Sequence, residues 1–421
     1  MKRNFILFAN FLLVLSFFLI APADAASSGV AAQKPPPAQR SLHYVFMGVP
    51  CYGHIKPTLE IVDALTKRGH RVTYFNVPKF KNKIEEAGAT FVDYNTISFR
   101  NPQPVNAKSM DLLWTYQGLN TVMRELWPTL LEFQKYNHID VIVYDQFAVW
   151  GKLLARQHNI PSVCSSSMLL RTPEEWGMLA TKIPSHFSYQ EMFNCFSYQE
   201  MLNCFSCLEA DKVLAYTSAD FQPEIKERNN IVFFGNRLNK KTASSPQMFD
   251  QNALVYISFG TEYNCDVATL GTLIDFFKNT PHQVIISTGG NEDVYNILLK
   301  KNAPKNIHIH KWVDQKDVLS KASLFITHAG MNSVYEAINW SVPMIMIPQM
   351  EEQRFNAHKV RKLGLGYVLD SKDPSQENIK EAMETITQNW QKYRDASSHL
   401  NKTFLNSFNA EAASHAIEVD E

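Results

Sequence analysis

The chain has 421 residues, 45% of them hydrophobic, with 41 Lys+Arg against 41 Asp+Glu. That is enough for two domains of ordinary size with full cores, and it excludes a disordered chain. A formal net charge of zero offers no basic surface, so neither nucleic acid nor an anionic membrane is expected as a partner.

At the N-terminus, Lys2 and Arg3 precede an apolar run from Phe5 to Ile20, followed by Pro22 and an Ala23-Asp24-Ala25 site. This pattern predicts a signal peptide over 1–25 and entry into the secretory or export pathway (secreted, periplasmic or endoplasmic reticulum lumen). The run is short for a spanning helix and Asn10 interrupts it, so no stable transmembrane anchor is expected after cleavage. An uncleaved N-terminal anchor is the alternative reading. Residues 26–41, with Pro35-Pro36-Pro37, read as a disordered tether. Six cysteines form no dense framework in a chain this long, and Cys204 and Cys207 have CxxC spacing without a second ligand pair, so free thiols are expected.

A first domain is expected over 42–236. His43 to Val49 reads as its first strand, and Pro50-Cys51-Tyr52-Gly53-His54 as the loop after it. Pro57 is then placed at the start of a helix reaching about Arg68, where proline is tolerated, with Leu59, Val62 and Leu65 along one side. Arg71 to Asn76, Phe91 to Tyr94, Val141 to Tyr144 and Pro161 to Ser165 are further strands, and His70 sits in a turn, solvated. Strands alternating with helices imply a parallel sheet with right-handed crossovers. Trp114, Tyr116, Trp127 and Trp176 either line an apolar pocket or belong to the core. Residues 187–204 repeat FSYQEMFNC as FSYQEMLNC. Nine residues leave a helix half a turn out of phase, so the second copy is expected as a surface insertion.

A linker over 237–252 leads to a second domain over 253–421. Leu254 to Thr261 reads as a strand and its turn, Gln283 to Ser287 and Ile307 to His310 continue a sheet, and the segment from Gln376 reads as helical. Between them lies the richest stretch, Trp312 to Gln353. Leu324-Phe325-Ile326-Thr327 is a buried parallel strand by its apolar run. His328 to Ser333 turns the chain, with Gly330 allowing close backbone approach. A helix follows over about Ser333 to Asn339, capped by Ser333 or Asn332, and Val342 to Ile347 is the next strand. Small polar groups therefore gather at a strand's carboxyl end and a helix N-terminus, which suits phosphate. His328, Asn332 and Ser333 add donors there. Glu336 would repel a phosphate but can accept both hydroxyls of a vicinal diol. Trp312 offers a flat face to a base. Base, ribose and diphosphate follow in that order.

This arrangement resembles the donor signature of family-1 UDP-glycosyltransferases, closest to the bacterial macrolide-type enzymes. W-x-x-Q is Trp312 to Gln315, with Val313 inside it; T-H-x-G-x-x-S is Thr327 to Ser333; the downstream Glu is Glu336; and an acidic-Gln pair, Glu352-Gln353, precedes Asn356-Ala357. Many relatives carry Asp at the place of Glu352, and Gly at that of Ser341. Ser258-Phe259-Gly260-Thr261 is similar to the family's S-F-G-S element beside the diphosphate. The resemblance implies an α/β chain of GT-B fold, two Rossmann-like domains with parallel sheets facing a central cleft, the terminal helix crossing back to the first domain. It implies transfer of a hexose from a UDP-sugar, a co-substrate rather than a cofactor, to a hydroxyl of a small, hydrophobic acceptor. Gly53-His54-Ile55-Lys56-Pro57 matches the family's G-H-x-x-P, whose His is the base, and Asp145 matches the Asp that orients it. A hydroxyl attacks poorly without such a base, and the pair follows the logic of a Ser-His-Asp triad with substrate in place of serine. The chain contains no Asp-X-Asp, so no metal or other cofactor is expected, and single-step displacement implies inversion. The rivals are a GT-B transferase acting on a lipid-linked acceptor and a non-catalytic binder of nucleotide or small ligand. A binder needs neither His54 nor Asp145.

Overall fold

A computed structural model of the chain describes residues 40–95, 112–171, 207–222, 225, 228–234, 249–250, 252–260, 267–300, 304–371, 373–407 and 409–418. The predicted signal peptide, most of the tether, the duplication over 187–204, nearly all of the linker, Thr261 and Trp176 lie outside the described residues, as do the side chains of Trp114 and Tyr116. Among the described residues no helix is long and apolar enough to cross a membrane.

Two parallel sheets form the frame. The first contains β1 (His43–Met47), β2 (Arg71–Asn76), β3 (Thr90–Asp93), β4 (Val141–Asp145), β5 (Ser162–Ser166), β6 (Lys212–Ala215) and β7 (Ile231–Phe233), in the order β3-β2-β1-β4-β5-β6-β7. Its helices are α1 (Tyr52–Lys67), α2 (Lys81–Glu86), α3 (Leu112–Tyr136) and α4 (Val149–His158). The second contains β8 (Leu254–Ser258), β9 (Gln283–Ser287), β10 (Ile307–His310), β11 (Leu324–Thr327), β12 (Met344–Met346) and β13 (Gly366–Val368), in the order β10-β9-β8-β11-β12-β13. With it come α5 (Val267–Phe277), α6 (Glu292–Leu299), α7 (Gln315–Leu319), α8 (Met331–Asn339), α9 (Glu351–Lys362) and α10 (Gln376–Ser407), and α11 (Ala410–Ala416) returns to the first sheet.

Both sheets are covered on both faces, which is why their strands are apolar throughout. Along β1, Val45 and Met47 enter one core cluster while Tyr44 and Phe46 enter another, the two-residue alternation of a strand. Along β11, Leu324 and Ile326 separate from Phe325 in the same way. Trp127 packs partly buried against the first of these clusters, a core position.

Each strand order reverses once, between β1 and β4 in the first sheet and between β8 and β11 in the second. Open α/β sheets bind ligands outside the carboxyl ends of strands at such reversals, because the crossovers diverge there and leave a crevice. The loops that follow β1, β4, β8 and β11 are therefore the places to look.

Three local expectations need correction. Helix α1 begins at Tyr52, not at Pro57, so Pro57 lies inside it and His54 in its first turn. Proline has no N–H to donate to the carbonyl four residues back; that carbonyl belongs to Gly53, and Asn332 Nδ2 of the second half donates to it at 3.1 Å. Helix α8 begins at Met331 with Gly330 as its N-cap and no side-chain capping bond, so neither Asn332 nor Ser333 caps it. His70 is buried rather than solvated: its Nδ1 accepts from Leu42 N at 3.2 Å and its Nε2 meets Glu418 Oε1 at 2.9 Å.

That last contact belongs to the end of the chain. Ala413 and Ile417 join the core of the first sheet, Arg68 donates to Ser414 Oγ at 3.2 Å and pairs with Glu418, and Lys212 donates to the Glu418 carbonyl. The halves also pack directly, with Phe221 edge-on to Tyr335 at 5.8 Å between centroids.

Candidate active site

In the first half, α1 leaves β1 so that His54 stands beside the end of β4. His54 Nδ1 lies 2.8 Å from Asp145 Oδ2, and Asp145 Oδ1 accepts from Phe147 N at 2.9 Å. The Asp145 side chain is 5% exposed and that of His54 18%. A nearly buried carboxylate thus orients a ring that keeps contact with the surface. The reversal between β1 and β4 brings together two residues 91 positions apart.

In the second half, the turn after β11 carries the strain. Ala329 adopts φ 67, a left-handed conformation that disfavours side chains, and it swings His328 back between Gly260 and Gly330. A Cβ at Gly260 would come within 2.8 Å of the imidazole, and one at Gly330 would collide with it outright. Gly330, at φ −64, is needed for that space and not for an unusual backbone angle. Burial lowers the His328 pKa to about 4, against a smaller opposing effect from a backbone hydrogen bond to Ser258. At neutral pH it is therefore an uncharged donor or acceptor in the ligand-free chain.

The N-terminus of α8 has no acidic residue in its first turn and no capping side chain, so its first N–H groups are left for an anion. One turn on, Glu336 is buried and holds two donors: Gln315 Nε2 on Oε2 and Lys56 Nζ on Oε1, both at 2.8 Å. Gln315 also donates to Ser333 Oγ at 3.2 Å and accepts from Tyr256 OH at 3.1 Å, which fixes its amide. Asp314 caps α7 through the N–H of Lys316 at 3.0 Å. Val313 packs against the core, while Trp312 beside it is 62% exposed.

The acidic-Gln pair is only partly drawn in. Glu352 accepts from Asn356, whose amide also donates to Ala329 O at 3.1 Å. Burial pushes its carboxyl pKa up, while that bond and the charges of Arg171 and His54 pull the other way. Gln353 is buried and spends its amide locally, accepting from Gln349 N at 2.9 Å and donating to Met350 Sδ at 3.6 Å. Here it braces the loop before α9.

Two residues at this seam escaped sequence reasoning. Lys56 lies at a variable position of the G-H-x-x-P motif. Arg171, just past β5, is buried with its guanidinium 4.3 Å from the centre of the Phe355 ring. The positions of both after carboxyl-end strands of the first sheet were the only available signal.

The sequence profile described as "UDP-glucoronosyl and UDP-glucosyl transferase" matches residues 230–403. The chain is 31% identical over 373 residues to the NDP-glycosyltransferase YjiC of Bacillus licheniformis, covering 81% of this chain and 88% of that one. It belongs to the UDP-glycosyltransferase family. The oleandomycin glycosyltransferase of Streptomyces antibioticus is 24% identical over 80% of this chain and 82% of its own. Among solved structures, CalG4, the calicheamicin glycosyltransferase, matches with a TM-score of 0.72 at 23% identity, over 89% of this chain and 97% of that one. The glycosyltransferase is thus a GT-B enzyme. In it the loops that follow the two sheet reversals come together where α1 meets α8.

Proposed function

We propose that this glycosyltransferase moves a hexose from a UDP-sugar to a hydroxyl of a small, hydrophobic acceptor in one inverting step, with His54 as base and Asp145 as its partner. The observation that carries the reading is the 2.8 Å contact between His54 Nδ1 and Asp145 Oδ2 at the carboxyl edge of the first sheet. With Nδ1 engaged, Nε2 is the atom that takes the acceptor's proton. The acceptor oxygen then forms a bond to the anomeric carbon as the bond from that carbon to the diphosphate oxygen breaks. The imidazolium that forms faces the Asp145 carboxylate.

UDP leaves with added negative charge beside the N-terminus of α8. The helix dipole and free N–H groups stabilise such charge by electrostatics held in place beforehand. Neutral His328 contributes hydrogen bonding alone. With no Asp-X-Asp in the chain, we assign the diphosphate to these groups without a metal. Trp312 stacks the uracil, Val313 flanks it, Glu336 accepts the ribose hydroxyls, Asn332, Ser333, Gly330 and Gly260 border the diphosphate, and Glu352 takes sugar hydroxyls. The relative named for oleandomycin supports a small organic acceptor. We also assign the first 25 residues to export, to be tested by N-terminal sequencing of the mature chain.

The deciding experiment incubates the mature chain with UDP-glucose, UDP-galactose and UDP-N-acetylglucosamine against a panel of phenols, steroids and macrolides. Mass spectrometry should find at least one hexosylated product and matching UDP release. UDP release without any product, or no turnover with any pair, would refute the reading.

A further inference from the structure

Part of the seam between the halves is made by two helices, α1 and α8, that meet through polar groups. On α8, Asn332 and Glu336 are four residues apart and share a face. On α1, Gly53 and Lys56 are three apart and share a face. The two pairs meet point for point: Asn332 Nδ2 donates to Gly53 O at 3.1 Å, and Lys56 Nζ donates to Glu336 Oε1 at 2.8 Å. The approach is close enough that a Cβ at Gly53 would lie 3.1 Å from Asn332 Nδ2.

The second contact has consequences for ligand binding. The side chain of Glu336 is 9% exposed and that of Lys56 31%, so this is a largely desolvated ion pair. Burial works against the Lys56 ammonium, but the charge and hydrogen bond of Glu336 more than offset it, and the Lys56 pKa is raised. Among the described residues of the second half, Glu336 receives only the neutral amide of Gln315; the countercharge comes from the first half. A carboxylate offers about four lone-pair positions. Gln315 and Lys56 take one on each oxygen, which leaves one on each for a pair of vicinal hydroxyls. Removing Lys56 would leave a buried carboxylate without its countercharge, free to reorient or to bind solvent.

We propose that Lys56 is a positioning residue of the nucleotide site: it fixes the Glu336 carboxylate as the acceptor for the donor's ribose hydroxyls, so that the second half selects ribonucleotides fully only when the first half is docked on it. The inference rests on Glu336 as the ribose acceptor, and its consequence is a nucleotide preference set by a residue of the acceptor-binding half.

The test uses the full chain and two ligands, UDP and its 2′,3′-dideoxy analogue, measured by calorimetry. Lys56→Met should weaken UDP by about tenfold or more, the scale of a charge-assisted hydrogen bond. It should leave the dideoxy analogue within about twofold of wild type, since that ligand never used the carboxylate. Lys56→Arg should recover most of the UDP affinity. In turnover, Lys56→Met should raise the donor KM while kcat at saturating donor stays within about threefold. If Lys56→Met does not fold, Lys56→Gln, a neutral donor, carries the same comparison. Equal losses for both nucleotides would place Lys56 on the phosphates or in the general fold and overturn the inference. Unchanged UDP affinity would overturn it, and so would a gain, which would make Lys56 a competitor for the carboxylate. Glu336→Gln separates the two levels. If it weakens both nucleotides alike, the ribose assignment itself fails; if it is selective for UDP and Lys56→Met is not, only the present inference fails.

Discussion

Asp145→Asn removes one charge from the proposed catalytic pair while preserving its shape. Asp145 accepts two hydrogen bonds, from His54 Nδ1 on Oδ2 and from Phe147 N on Oδ1. An amide has one oxygen and one NH2, so it cannot serve both donors. With its oxygen on Phe147 N, the NH2 faces Nδ1, which must then give up its proton. The imidazole becomes the Nε2–H tautomer, already protonated at the atom that should accept from substrate. With the amide reversed, Phe147 N faces an NH2 in place of its carboxylate acceptor, and the imidazolium still lacks a countercharge. Either outcome should lower kcat by about 10²–10⁴-fold, the usual contribution of a general base. The assay is single-turnover transfer from UDP-glucose to the best acceptor of the panel, with UDP affinity measured in parallel. Donor affinity should hold within about twofold, because the proposed nucleotide groups, Lys56 apart, lie in the other half. A variant as fast as wild type would refute the pairing, and a parallel fall in UDP affinity would mean that Asp145 supports the seam instead.

Trp312→Ala should weaken UDP and UDP-glucose alike by about 1–3 kcal/mol in calorimetry, the worth of base–aromatic stacking; unchanged affinity would leave its exposed ring without that role. Burial holds His328 at about 4, below the ordinary 6.5, so as pH falls through 6.5 the unfolded chain binds a proton that the folded chain refuses. The stability contributed is complete above about pH 6.5 and declines toward pH 4, so the wild-type advantage over His328→Gln in urea unfolding should shrink by about 2 kcal/mol between pH 7.5 and 5. An advantage independent of pH would contradict the buried neutral ring. Ser341 follows α8 at φ 54, where Ser341 N bonds Ile338 O at 3.0 Å and Val342 N bonds Ala337 O at 2.9 Å, a helix-terminating pattern that favours glycine. Ser341→Gly should raise unfolding stability by about 0.5–1 kcal/mol, the left-handed penalty of roughly 1–2 less the entropy glycine adds to the unfolded chain; a loss would show that the serine hydroxyl is needed. EDTA should leave initial rates unchanged, and a rate lost to EDTA and restored by magnesium or manganese would refute the metal-free assignment.

What could be read from the sequence were features with local signals. β2, β9, β10 and β11 match the expected bounds because each is an apolar run between turn residues. The donor turn was legible because its polar residues follow one another over 327–336. β6, β7 and β13 were not anticipated: they have four, three and three residues, too short to show a period, and pairing with a neighbouring strand defines them. Pro57 was placed at a helix start because proline usually marks one; its cost inside α1 is offset by a hydrogen-bond donor 275 positions away in sequence. His70 and Glu418 are separated by 348 residues, and Lys56 and Glu336 by 280. Such contacts have no signature along the chain, and they hold the two halves together.

The clasp of the C-terminal segment on α1 bears on how such enzymes can be recombined. A chimera of two relatives made by a single crossover in 237–252 would graft a foreign Glu418 onto the Arg68 and His70 that it must pair with. It would also set a foreign Ala413 and Ile417 into the core of the first sheet. Two crossovers, the second between α10 and α11, would return this segment to the half it is fitted to. The part of the second half that can be exchanged is then a middle piece of the chain, bounded on both sides by segments fitted to the first sheet.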